Sequence, residues 1–550
     1  RYNCSQARRV ILTRLACIVL TVAPLLMLSP VLAVPNSSDS LAVDLTVYDS
    51  LIIDSIEIDN REIFDTDQPR YNNFAFKTAN RLHIITRAKV IRRELLFEVG
   101  GKFSADLAEE TARNLRFEYA IFNAWVEVEE LENGHLLVRL VTVDQWSLAG
   151  GLVVKREGEE TDFRIGFEER NFLGRNQIIS VEYSAPERED NYFKFGFTDR
   201  RLAGRPFRVR SVFDDNPRNR VRLLSFGKPF YNLSQHLAYN IQVVDRAMRN
   251  DLYDDGDLLV ARSRSKSDEV LSELTYRWGS YKRKTGLRFL HDYQSESVVG
   301  TEILESDPDS IVFGDDSLYH YLAIGGFVQD FDYVTISRIN GFDVLEDFQL
   351  GQQFSVAIGR AFKPDFHDHI YDHLSMNVRY AARLGSHLIL MDYLRKFWYR
   401  ADESLRRTSD FTLRLYNDHF RFLTGAMRVK YRRDWRDDRS ARILLGGATG
   451  LRGYSRQFRR GERVGVINLE ARFFPGLELA SVMFGSVLFV DIGRAWKAGE
   501  PFDFNEFNTS FGCGLRVSLE KAAEGQILRI DIARNDLNGW QLSFGTGQYF

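Results

Sequence analysis

Residues 528–533 read LRIDIA, and residues 515–520 read LRVSLE. In each stretch every second side chain is apolar, Leu528, Ile530 and Ile532 in one and Leu515, Val517 and Leu519 in the other. Arg529, Asp531 and Ala533, and Arg516, Ser518 and Glu520, fill the positions between. A period of two sends successive side chains to opposite faces of a β-strand, so each stretch is a strand with one greasy and one largely charged face. The same alternation sets Phe193, Phe195 and Phe197 against Lys194, Gly196 and Thr198, and helical spacing does not return anywhere from Trp146 to Phe550.

Such a series fits two architectures. In a soluble sandwich the apolar face meets a second sheet; in a membrane barrel it meets lipid and the polar face lines a wet interior. Three features favour the barrel: the length of the strand series, the aromatic cluster Lys396-Phe397-Trp398-Tyr399 suited to a headgroup-level girdle, and a last strand that ends the chain in SFGTGQYF. At roughly 25 residues per strand with its loop, about 16 antiparallel strands are expected over 147–550, with about 12 or 18 also accommodated. Stretches rich in Asp, Glu and Ser near 249–269 and 295–317 read as water-facing loops.

The remainder is organised differently. Arg8, Arg9 and Arg14 precede an apolar run from Leu15 to Leu28, with Val31-Leu32-Ala33 as a cleavage region. Residues 1–33 therefore read as a secretory signal, and the uncharged run is too short for a membrane helix. Removing its four arginines takes the net charge from −3 to −7, which gives no electrostatic reason to bind nucleic acid. Only Cys513 then remains, so the exported part has no internal disulfide.

After a linker at 34–50, residues 51–146 carry a β-α-α-β-β pattern. Ile56 and Ile58 alternate with Glu57 and Asp59; a helix is expected over 87–98 and stops at Gly100-Gly101; Ser104 caps a second helix with Leu107, Thr111 and Leu115 on one face. Val126 and Val128 belong to a strand that turns back at Asn133-Gly134, read as a two-residue hairpin, into LLVRLVTV. A long connection, 63–86, precedes the first helix.

One segment of the strand half is unlike the rest. Residues 446–461, GGATGLRGYSRQFRRG, place Arg452 among glycines, which let backbone pass close to other atoms or take positive φ. With this segment, the chain resembles the BamA/TamA superfamily of bacterial surface antigens, in which polypeptide-transport-associated (POTRA) domains precede an outer-membrane barrel. Leu451-Arg452-Gly453-Tyr454 is similar to that family's V/I-R-G-F/Y loop motif, and FVDIGRAW (Phe489–Trp496), with Asp491 and Gly493, is similar to its acidic strand motif. INLEARFF presents Glu470 at the other acidic position, NFLGRNQ (Asn171–Gln177) is similar to an early turn, and VIRRELLFEVGG to the first POTRA helix.

The resemblance implies a lumen ion pair between Arg452 and Asp491, shared with Glu470, since an unpaired buried guanidinium is costly. It also implies a C-terminal barrel signal at Ser543, Gly545 and Phe550, from which Gln548 departs. Implied too are a mainly β fold, a POTRA-like α+β domain before a transmembrane barrel, and a site in the outer membrane with the small domain in the periplasm. One barrel per chain would meet outer-membrane lipid on its outside, and unfolded polypeptide clients or periplasmic chaperones at the small domain. The implied function is noncovalent assistance to polypeptide insertion or translocation. The alternatives are a passive channel or surface antigen, a dedicated partner secretor, and a lipid transporter.

No catalytic constellation is legible: G-x-S-x-G, H-E-x-x-H and a phosphate loop ending in Gly-Lys-Ser/Thr are all missing. The chain reads as a non-enzyme without a cofactor. His367, His369 and His373, with Asp365, Asp368 and Asp372, form a weak metal-like cluster set against the plainer reading of a polar hairpin connection.

Overall fold

A computed structural model describes residues 44–550 apart from 118–119, 158–159, 187–189, 254–258, 304–315, 401–402, 437–442, 457, 498, 520 and 523–526. The expected signal at 1–33 lies outside the described residues.

The small unit is a three-stranded sheet of β1 (Ile53–Arg61), β3 (Leu136–Asp144) and β2 (Ile121–Glu130) in that order, with β3 parallel to β1 and antiparallel to β2. Three helices accompany it: α1 (Phe74–Leu82), α2 (Ala88–Arg92) and α3 (Ala105–Arg116). Ile53, Leu136 and Val138 of the sheet pack on Ala105, Ala108 and Phe103, burying the apolar face of α3. Several expectations are corrected. The connection at 63–86 contains α1, capped by the Asn73 side chain, and the helix expected over 87–98 is only α2. Beyond Arg92 the amides of Glu94 and Leu95 reach carbonyls three residues back, and tight turns replace the helix. Ser104 occupies the N-cap of α3 without a side-chain bond; Asp49 instead accepts from the Ala105 amide at 2.8 Å. The β2–β3 turn is longer than two residues, closed by Leu131 N–H to His135 O at 2.8 Å, with Gly134 at φ 74°.

The rest of the chain is one antiparallel barrel. Its strands follow in chain order: β4 (Leu148–Glu157), β5 (Glu160–Glu169), β6 (Gln177–Ala185), β7 (Tyr192–Asp199), β8 (Arg208–Asp214), β9 (Asn219–Lys228), β10 (Leu237–Tyr253), β11 (Leu259–Gly279), β12 (Arg283–Ile303), β13 (Ser317–Asp330), β14 (Asp332–Ile336), β15 (Glu346–Phe362), β16 (His369–Leu384), β17 (His387–Arg400), β18 (Glu403–Phe420) and β19 (Leu423–Arg436). A loop carrying the short pair β20 (Ile443–Leu445) and β21 (Arg459–Gly461) leads to β22 (Arg463–Leu479), β23 (Val482–Trp496), β24 (Asn508–Ser518), β25 (Ile527–Asn535) and β26 (Trp540–Thr546), which adjoins β4 in the strand order. Both β13 and β14 pair with β15 in one continuous register, so they are one strand interrupted at Phe331. With those two counted as one, the described residues form 20 strands rather than the expected 16 or so. Several turns are only two residues long, such as 385–386, 421–422 and 480–481, so each strand consumes less chain than assumed. Much of the expected loop sequence near 249–269 and 295–317 is also strand, in β10, β11 and β12.

The sidedness is that of a membrane barrel. Leu528, Ile530 and Ile532 are 49%, 38% and 43% exposed, whereas Asp531 between them is 0% exposed. Leu515 is exposed while Arg516 and Ser518 are buried. Apolar side chains point out and charged ones in, the inverse of a soluble fold. Cys513 lies on the outer face.

The small domain lies across one mouth of this barrel. Asn171 and Gly174 of the β5–β6 turn bind backbone at Ile84 and Arg87, and Arg201 of the β7–β8 turn pairs with Glu94. Glu110 accepts from the Leu233 amide at 2.7 Å and from the Tyr281 hydroxyl, whose pKa burial pushes up. Arg116 grips Asp347 through two bonds of 2.7 and 2.6 Å. Tyr71 donates to Glu478 at 2.7 Å, and Lys521 donates to the Ile63 carbonyl at 2.9 Å.

Between this domain and the lumen lies the hairpin 332–350. Val334, Ile336, Phe348 and Leu350 pack with Ile339 on Leu388, Tyr416 and Ala426 of the inner wall. Phe342 packs on Phe474, Met483 and Ile527. On its other side the hairpin presents Tyr333 to Arg113, 3.7 Å from ring centre to guanidinium carbon. Gly351, at φ 91°, marks the bend: a Cβ there would sit 2.5 Å from Asp330 Cβ.

Candidate functional site: an arginine network in the lumen

The loop between β19 and β22 folds back inside the barrel. Leu451 and Tyr454 are buried with Leu445, Val464 and Val466, and Gly493 leaves room for the Leu445 side chain, 3.4 Å from where a Cβ would stand. Two glycines answer directly to geometry. Gly450 has φ 139°, with Val466 Cγ1 2.9 Å from a notional Cβ, and Gly453 has φ 85°, with Ala533 Cβ 3.1 Å from one.

Arg452, 1% exposed, is set by this close approach. Its Nε and Nη2 donate to the two oxygens of Asp491 at 2.8 and 2.9 Å, and its Nη1 donates to Glu470 Oε1 at 2.7 Å. Its own amide also donates to Asp491 at 3.1 Å, and Asp531 Oδ2 lies 3.9 Å from Nη1. The guanidinium carbon is 3.5 Å from the ring centre of Phe489 and 4.1 Å from that of Tyr549. Fork, carboxylate and aromatic rings together supply what a buried arginine needs. The structure thus brings Arg452, Asp491 and Glu470 together, with Leu451, Gly453 and Tyr454 around them. Tyr454 donates to Asp536 Oδ1 at 2.6 Å, and Asn535 donates to the Gly453 carbonyl at 2.7 Å.

The network extends beyond the residues expected. Arg472 donates to Glu470 Oε2 at 2.8 Å, Arg516 to Asp531 Oδ1 at 2.6 Å, and Asn468 to Asp491 Oδ1 at 2.7 Å and to the Gly450 carbonyl at 2.8 Å. Arg452, Arg472 and Arg516 thereby face Glu470, Asp491 and Asp531, with Arg529 a further cation 3.9 Å from Asp531. The sequence signal was present in INLEARFF: Asn468, Glu470 and Arg472 lie two apart and therefore share a face, as do Arg529, Asp531 and Ala533.

The residues of the expected C-terminal signal divide between wall and lumen. Ser543 and Gly545 are in β26, opposite Asp531 and Arg529, but the sheet ends at Thr546 and Gly547, at φ 73°, turns the chain inward. Phe550 packs in the lumen rather than on the membrane face, its ring 4.9 Å from Arg428 and 5.1 Å from Arg472. Gln548 is polar because it, too, points inward, accepting from Arg516 Nε at 3.2 Å.

The histidines do not converge. His373 faces inward against Tyr321 Oη at 2.7 Å and the Trp398 ring, while His369 stands beside Asp372 at 3.2 Å. Among the described residues no group of three His, Cys, Asp or Glu side chains is placed to hold a metal ion. In the cluster 396–399, Trp398 faces the lumen while Phe397 and Tyr399 face out.

No family model matches the sequence, and no curated protein matches it. Solved structures similar to the chain include CdiB from Acinetobacter baumannii, at 12% identity and TM-score 0.41, covering 90% of this chain and 74% of that one. CdiB from Escherichia coli is 13% identical, with TM-score 0.40, over 94% of this chain and 93% of that one. BamA from Haemophilus ducreyi lacking POTRA domains 1–3 is 10% identical, with TM-score 0.38, over 90% of this chain and 84% of that one. The membrane-barrel architecture of this chain rests on its own strand order and outward apolar rows rather than on these likenesses.

Proposed function

We propose that this chain is an outer-membrane barrel protein that assists insertion or translocation of other polypeptides by noncovalent strand templating, with its small domain in the periplasm. The observation that carries the reading is the shortness of the last strand. Because residues 547–550 turn into the lumen, β26 gives only seven residues to the sheet beside β4. A short terminal strand is the weakest part of a barrel wall and the place where an incoming strand can pair by edge addition. The pinned loop supports the same reading, since Tyr454 and Asn535 tie it to β25 and the loop that follows, next to that seam. β2, an outer strand of the small domain's sheet, offers a first station for an extended client.

Photo-crosslinking from Leu542 of β26 while new barrels are being assembled tests this. Crosslinks to incoming outer-membrane proteins are expected; their absence, together with steady large conductance in planar bilayers, would instead mark a passive channel. Depletion followed by a census of envelope proteins would name the clients, and loss of one exoprotein alone would mark a dedicated secretor.

A further inference from the structure

Among the described residues, four arginines on the outer face lack the carboxylates that Arg452, Arg472 and Arg516 of the lumen network possess. Register places Arg395 opposite Ser409, Ser409 opposite Arg433, and Arg433 opposite Arg463, in one row across β17, β18, β19 and β22. Arg407 stands one outward position further from the small domain, between Phe397 and Trp435. These positions face out because their sequence neighbours Asp434 and Val464, and the alternating Leu388, Tyr416 and Ala426, face the lumen.

The row is bounded by aromatic rings. Tyr393, Phe411 and Tyr431 form the outward row on the small-domain side of it, and Phe397 and Trp435 the row beyond. Arg395 lies 4.7 Å from the Phe397 ring centre, and Arg407 lies 5.1 Å from that of Trp435. Aromatic belts of this kind mark the headgroup level. Among the described residues none of the four arginines has a carboxylate partner, and the Nε atoms of Arg395 and Arg463 are enclosed without a hydrogen bond. The outward carboxylate of β16, Asp372, is already held by Arg360 at 2.6 Å and His369 at 3.2 Å. Arg433 directly opposite Arg463 is a repulsive cross-strand pair, and unpaired guanidinium groups at lipid level are costly. A bound anion removes both penalties.

We propose that this face binds a lipid whose head group carries two phosphates, in the leaflet remote from the small domain. Strand spacing of about 4.8 Å puts Arg395 and Arg463 roughly 14 Å apart, too far for one phosphate. Arg395 with Arg407 fits one phosphate, and Arg433 with Arg463 fits the other. Planar guanidinium forks match phosphate oxygens in pairs, which is why arginine rather than lysine stands at all four positions.

The inference rests on the barrel lying in a membrane with the small domain on the periplasmic side, and the test separates the two. Full-length protein is floated with vesicles, then extracted and exposed to diphosphoryl lipid A, monophosphoryl lipid A or phosphatidylglycerol, with retention read by native mass spectrometry. Retention of the diphosphoryl lipid about ten-fold above the others is expected. The double variants Arg433→Gln/Arg463→Gln and Arg395→Gln/Arg407→Gln should each bind diphosphoryl and monophosphoryl lipid equally. Arg432→Gln, which alters a lumen pair with Asp410, should leave the preference intact. Equal retention by the wild type, or an unchanged preference in either double variant that still migrates as a compact barrel, would overturn the proposal. Failure to float would overturn the membrane reading itself.

Discussion

Arg472 donates to the carbonyl oxygen of Phe550 at 2.7 Å, and through Nη1 to that of Ile339 in the mouth hairpin at 2.6 Å. One buried side chain therefore joins the in-turned C-terminal residues, the hairpin and, through Glu470, the pinned loop. Arg472→Met keeps the volume but leaves Glu470 and two carbonyls short of donors. A higher single-channel conductance than wild type is expected in planar bilayers, as the hairpin loses an anchor.

Removing Arg452 is expected to cost more. Arg452→Leu strands Asp491 and Glu470 without their shared cation, a loss of about 3–5 kcal/mol for a buried pair broken on one side. Arg452→Lys should fall between, because a point charge cannot reproduce the two parallel bonds to Asp491. Urea unfolding in vesicles, followed by band shift on unheated gels, measures both; equal stability of Leu and wild type would refute the ranking.

Gly450→Ala tests the close approach of the loop to the wall. The new Cβ would meet Val466 at 2.9 Å while φ stays at 139°, a conformation expected to cost about 1–3 kcal/mol. The loop should lift, and a cysteine placed at Ser455 should react faster with a membrane-impermeant maleimide than in the parent.

The docked domain should respond to one ion pair. Arg116→Ala removes two charge-assisted bonds to Asp347, worth about 1.5–3 kcal/mol each when made to charged groups. Faster amide exchange in α3 and in the hairpin is expected, with the barrel strands unchanged, and Asp347→Asn should give the same pattern.

Hairpin stability should also depend on pH. Burial is the largest influence on Glu346 and raises its pKa above the ordinary 4.5, against the opposing backbone donors of Ile339, Asn340 and Gly341. A carboxyl with a raised folded pKa holds its proton more tightly in the native state, so stability falls as pH rises through that window and returns on acidification. Protection factors of the Asn340 and Gly341 amides should grow on acidification toward the ordinary carboxyl range, and Glu346→Gln should flatten the trend.

How far the sequence discloses these features depends on periodicity. Alternation fixed the strands and their sidedness, because a period of two is visible in any six residues such as LRIDIA. Arg452 and its carboxylates were legible through the resemblance of LRGY, FVDIGRAW and INLEARFF to family motifs, since glycines around an arginine indicate close packing but do not name its partners. Strand number was not, since turn length cannot be told from a polar stretch such as 259–269, where β11 continues as strand. The hairpin was also hidden, as Val334, Ile336, Phe348 and Leu350 keep the same alternation as wall strands, and only the backbone bend at Gly351 redirects them inward. The in-turned end was foreshadowed by Gln548 alone.

The wall is uneven in height. β8 and β26 have seven residues, whereas β11 and β12, three and four strands along from β8 and roughly across the barrel from β26, have 21. A tilted strand needs about 9–11 residues to cross a bilayer's hydrocarbon core, so lipid tails beside Trp540, Leu542 and Phe544 must shorten or disorder to match. Such local compression costs fractions of a kcal/mol per Å, and it thins the bilayer beside the last strand.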